Sequence, residues 1–135
     1  MINLGNVRKI IWREVQSALD PFITDFAFEN IEFTPPNSTA WARTQIIPGS
    51  STLEAISRNC ARQDGTIIVD LFCADNTSPT TCHNMADALQ DHFIGTDYIE
   101  GTTLLRVTNS RVSAGFLDGA YWRLPFDMAF TAYEL

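Results

Sequence analysis

The sequence predicts an α+β fold, a twisted, mainly antiparallel sheet with two amphipathic helices packed on one face, in one domain spanning residues 1–135. Three observations lead there. Apolar residues recur at spacings of three and four near the start and again after residue 78, which is the period of a helix facing a core. Those of the last stretch alternate every second residue, which is the period of a strand. A chain of 135 residues typically buries roughly two-thirds of its unfolded surface, enough for one core, and no repeat or linker divides it.

The first helix follows from Val7, Ile10, Ile11, Val15, Ala18, Leu19 and Phe22 on one face, with Asn6 as its cap and Pro21 as its stop. Asp25 to Phe33 reads as a bent strand in which Glu29-Asn30 inserts a bulge. Pro35-Pro36 then ends sheet pairing, because proline has no N–H to donate and holds the backbone extended. Ala40 to Ile47 is a second strand, with Trp41, Arg43 and Gln45 on one face, Ala42, Thr44 and Ile46 on the other, and Pro48-Gly49 turning it. Asp64-Gly65 signals a hairpin turn with a strand on each side.

In the following run, TIIVDLFCA, Ile67, Val69, Leu71 and Cys73 share one face while Ile68, Asp70 and Phe72 share the other, as in a central strand. Ser78-Pro79 opens the second helix, Cys82, Met85, Ala86, Leu89 and Phe93 form its apolar stripe, and Gly95 closes it. Thr103 to Thr108 is a further strand, and Asp118-Gly119 a turn. Beyond it Trp122, Leu124, Phe126, Met128, Phe130 and Ala132 alternate against Tyr121, Arg123, Pro125, Asp127, Thr131 and Tyr133. Pro125 assigns that stretch to an edge, a bulge or a non-bonded position, and an open edge invites a neighbour.

Composition narrows the function classes. Hydrophobic content is 45% and charged content 19%, and no run approaches the roughly 18 consecutive apolar residues of a membrane helix. No secretory signal is expected from the interleaved Arg8, Lys9, Ile10, Ile11, Trp12 and Arg13. Cys60, Cys73 and Cys82 are odd in number and irregularly spaced, so reduced, partly buried thiols in a reducing cytoplasm are expected. A net charge of −7 opposes general nucleic-acid binding, since it repels a phosphate backbone. Eight of the nine basic residues are Arg, which suits carboxylate pairing between subunits.

Catalytic, metal and cofactor sites have no visible candidates. His83 and His92 fall on opposite faces of one helix, and Cys82-His83 with Cys73 lacks zinc-ligand spacing. Asp87 and Asp91 beside His92 read as a solvated helix face, no serine occupies a nucleophile elbow, and Gly49-Ser50-Ser51 lacks the lysine of a phosphate loop. What remains is a surface. Trp41, Arg43, Tyr121 and Arg123 place aromatics beside arginines, a composition that suits either a protein interface or a plain surface pairing, and Asp127 and Tyr133 share their strand face. Two helix stripes cover only one side of a sheet, so Ile68, Phe72, Trp41 and Tyr133 point to a second side that a partner subunit covers or that carries scattered apolar residues.

Several pieces together resemble a known family: FTPP at Phe33 to Pro36, Arg62-Gln63-Asp64-Gly65 at a strand start, MADALQDHF, and Trp122-Arg123-Leu124-Pro125 in the last strand. They resemble the tail terminators of long-tailed bacteriophages, over nearly the whole chain. The loop ADNTSPTTC departs from the family in having no glycine. The resemblance implies a structural virion protein without enzymatic activity or cofactor. It implies a homo-oligomeric ring, commonly of six subunits, at the head-proximal end of the tail, assembled in the host cytoplasm. Such a ring stops polymerisation of the tail tube protein and presents a surface to the head-tail connector or neck. Pro35 and Pro36 would then hold their loop at a ring surface. A head-side connector or neck ring protein is the near alternative, and a small ligand-binding domain the more distant one.

Overall fold

The computed structural model describes residues 2–36, 39–53, 61–74 and 79–135. Helix α1 (Leu4–Leu19) is followed by strands β1 (Phe26–Phe28), β2 (Trp41–Leu53) and β3 (Ala61–Ala74), helix α2 (Thr80–Phe93), and strands β4 (Asp97–Glu100), β5 (Thr103–Val112), β6 (Phe116–Asp118) and β7 (Tyr121–Glu134). The strands form one sheet in the order β1-β2-β3-β7-β5-β4, with β6 pairing β7 beside β5. Only β1 runs parallel to its neighbour, and the other pairs are antiparallel. The α+β class with a mainly antiparallel sheet is as expected.

Both helices lie on one face and touch each other across it. Val7, Ile10, Ile11, Val15 and Leu19 of α1, and Cys82, Met85, Ala86, Leu89 and Phe93 of α2, meet Ile67, Val69 and Leu71 of β3 and Leu124, Phe126, Met128 and Phe130 of β7 in one cluster. Each large side chain so buried contributes about 1.5–3 kcal/mol relative to exposure, which makes this layer the main source of stability.

Several local expectations are corrected. The cap of α1 is Asn3, whose side chain accepts from the Asn6 N–H at 3.2 Å, so the helix starts before Asn6. Phe22 lies past the end of α1 and is exposed. The strand expected over Asp25–Phe33 stops at Phe28, and the slip at Glu29-Asn30 is a turn, with Asn30 in the left-handed region at φ 58°. Asparagine tolerates that region better than most residues, which is why a bulge and a turn read alike there. Ser78 lies outside the described residues, and the first turn of α2 has no side-chain cap.

Pro48-Gly49 does not end β2. The register shifts between Pro48 and Ser51 and pairing then resumes to Leu53. Asp64-Gly65 is not a turn either, for both residues sit inside β3, opposite Thr131 and Phe130 of β7. A Cβ on Gly65 would lie 2.5 Å from the Phe130 ring and 2.8 Å from the Ile47 carbonyl oxygen, so glycine is required there for close approach. Asp118-Gly119 does form a hairpin turn, with Gly119 at φ 63°.

The last strand is not an edge. β7 is flanked by β3 on one side and by β5 and then β6 on the other. Pro125 falls between the last β5 pair, Val112 with Phe126, and the first β6 pair, Phe116 with Arg123. Its carbonyl accepts from Ser113 N–H at 3.0 Å across that break, so the missing N–H falls where the partner strand changes. Finally, Cys73 and Cys82 are joined by a disulfide and are not reduced thiols. The end of β3 and the first turn of α2 meet in the buried layer, which sequence spacing does not reveal, and the thiol-based case for a reducing compartment falls with it.

Candidate functional site

The face of the sheet opposite the helices carries the polar chemistry. Strand alternation places Trp41 and Arg43 of β2, Asp70 and Phe72 of β3, and Tyr121 and Arg123 of β7 on this face, in adjoining rows. The rings of Trp41 and Phe72 stack with centroids 4.0 Å apart, Tyr121 stands edge-on to both, and Phe33 leans over Trp41 at 5.0 Å. Together they form a second, smaller buried cluster.

Beside it Asp70, whose side chain is 1% exposed, accepts from Arg43 Nη2 at 3.0 Å and Arg123 Nη2 at 2.9 Å. Both guanidiniums also lie over the Phe72 ring, at 5.5 and 5.7 Å. A buried carboxylate is tolerable only when paired and hydrogen-bonded, and two arginines meet that need at Oδ2, while Oδ1 has no hydrogen-bond partner among the described residues. Arg123 also donates to Asp118 at 3.3 Å.

The ion pairs continue along the face. Arg62 donates to Asp64, Arg111 to Asp127 at 2.9 Å, and Arg106 binds both oxygens of Asp97 at 2.8 Å with Tyr133 beside its guanidinium. The Arg106 bond holds the Asp97 carboxyl below its usual pKa and raises that of the guanidinium. The Asp64 carboxyl is likewise lowered, by Arg62 first and by the Thr131 hydroxyl as well. Among the described residues, five arginines therefore face Asp64, Asp70, Asp97, Asp118 and Asp127, and these ten charges cancel.

Sequence-based candidates are thus brought to one face but not to one point. Trp41, Arg43, Tyr121 and Arg123 meet around Asp70, whereas Asp127 and Tyr133 lie further along with their own arginines. Pro35 lines a groove of about 320 Å³ with Phe33, Ile31, Glu29, Trp41 and Arg43, and the half-buried Pro36 follows it. Arg–acid pairing expected between subunits is found within the chain. Asp70 and Phe72 were missed as site residues. Their signal is an acidic residue in an otherwise apolar strand, at alternate spacing from an aromatic one.

The histidines serve the helix side. His92 Nε2 lies 2.9 Å from Glu14 and its carbonyl accepts from the Tyr98 hydroxyl, while His83 packs on Trp122. Burial pushes the Glu14 carboxyl up, but bonds to Arg13 and His92 outweigh it and leave it lowered. Among the described residues no cluster of His, Cys, Asp and Glu has the makings of a metal site, and no helix is long and apolar enough to cross a membrane.

Fold and site together define a small α+β protein whose polar side chains form ion pairs on an open sheet face and do not converge on a reacting atom. Residues 11–130 match the family of phage tail terminator proteins, and the chain belongs to that family. It is accordingly a structural protein of the phage tail. One solved structure that bears no functional name shares the fold at a TM-score of 0.76 and 18% identity, over 100% of this chain and 99% of that one. A chain from the virion of a native gene transfer agent particle is similar at a TM-score of 0.52 and 14% identity, over 97% and 96%. No curated protein matches.

Proposed function

We propose that the chain caps the tail tube as a homo-oligomeric ring, commonly of six subunits, which ends polymerisation of the tube protein and forms the head-proximal tail surface that joins the connector or neck. Membership of the tail terminator family over residues 11–130 carries this reading. The open sheet face supports it. Among the described residues its charges are balanced within the chain, so a second copy can approach it with little like-charge repulsion.

Electron microscopy of the purified protein mixed with tail tubes tests the proposal. Annuli at one tube end, with tube growth halted there, are expected. Undecorated tubes, or rings that bind only a portal-side connector, would falsify it.

A further inference from the structure

The two outer margins of the sheet are chemically unequal. On the β2 side, β1 covers only Ala42, Arg43 and Thr44. Ala42 N–H points outward to Asp25, and alternation therefore aims Thr44, Ile46 and Pro48 outward as well. Beyond β1, however, the Ile46 N–H is taken by Glu29 Oε1 at 2.6 Å, and Pro48 has none. Among the described residues, this margin from Ile46 to Pro48 presents carbonyl oxygens without a free N–H. A strand in a ladder must both donate and accept, so the margin is closed to strand addition and suited to a side chain that only donates.

The opposite margin carries such a side chain. Beyond Val107, no strand covers the outer side of β5 among the described residues, and Arg111 stands there with its side chain 76% exposed. Among the described residues it uses one N–H, toward Asp127, whereas Arg106 is held at both ends by Asp97. Gln45 pairs with Ile68, Ile68 with Asp127, and Asp127 with Arg111, so Gln45 and Arg111 end a single row that crosses four strands.

We propose that copies of the chain join margin to margin, with Arg111 of one copy donating to the Ile46 and Pro48 carbonyls and the Gln45 side chain of the next. The guanidinium offers several N–H groups in one plane, enough for neighbouring oxygens that a single ammonium contacts less well. The carboxylate of Glu29, which lines the groove beside that margin and is shared with Arg8 at 3.4 Å, adds attraction. Because the two surfaces differ, the contact is head-to-tail, and its repetition yields the proposed ring when the rotation between copies closes. The inference rests on the ring reading and supplies its contact.

Full-length wild type, Arg111→Glu, Gln45→Arg and the double variant are compared by sedimentation across concentration and by microscopy on tail tubes, with circular dichroism as the folding check. Both positions are exposed, so folding is expected to survive. Each single change should raise the concentration needed for assembly at least about tenfold, and the double variant should recover most of it. Arg111→Lys should recover part of what Arg111→Glu loses. Singles that assemble like wild type, or a double variant that fails to recover, overturn the margin contact and leave the ring standing. A wild type that forms no ring alone or on tubes overturns both.

Discussion

The two faces of the sheet are built from the same strands but held by different physics. On the helix side, Leu124, Phe126, Met128 and Phe130 are essentially fully buried among α1 and α2, and what matters is volume. One residue away, on the other side, Arg123, Asp127 and Asp70 are held by bond directions, and what matters is which oxygen meets which guanidinium. The helix side therefore makes the fold stable, while the open side fixes a pattern of charge and ring that another protein can meet.

Changes made to the two faces should separate these roles. The largest effect is expected from Phe126→Ala, which empties the centre of the helix-side core and should cost about 3–5 kcal/mol in denaturant unfolding. A loss below about 1 kcal/mol would mean that the helices do not pack as described. Asp70→Ala on the open face comes next. It leaves Arg43 and Arg123 without their shared acceptor and should cost about 3 kcal/mol, less than the full value for a buried pair because Arg43 is 38% exposed. Asp70→Asn should recover part of this in the same measurement, since it keeps an acceptor oxygen.

Acid should have the smallest effect. The Glu14, Asp64 and Asp97 carboxyls are all lowered in the folded chain, so their contribution is present above the ordinary carboxylate range and is lost as pH falls through their lowered values. Thermal unfolding followed downward from neutral pH should hold steady and then decline below about pH 4. Decline beginning well above that range would count against these carboxylates as its cause.

Much of the helix-side layer was legible because helix and strand periods are local. The apolar stripe of α2 and the alternation of β7 each state which residues face the core before any partner is known. Turns were less legible. Asp64-Gly65 and Asp118-Gly119 are the same dipeptide, yet one lies in mid-strand beneath Phe130 and the other turns a hairpin. The Phe130 ring and the Ile47 carbonyl packed against Gly65 distinguish it from Gly119, which lies open at φ 63°. Of the candidate interface residues, the alternation showed that Trp41, Arg43, Tyr121 and Arg123 leave the core face, but not that they meet around Asp70.

The sequence by itself determined the class of fold, the faces of the two helices and the alternation of the long strands, because each follows from spacing along the chain. Tertiary structure alone decided that β7 lies inside the sheet, that Cys73 meets Cys82, and that Arg43 and Arg123 share one carboxylate. Those outcomes depend on which strands become neighbours. Strand order is set by long-range packing and loop closure, and no local period records it.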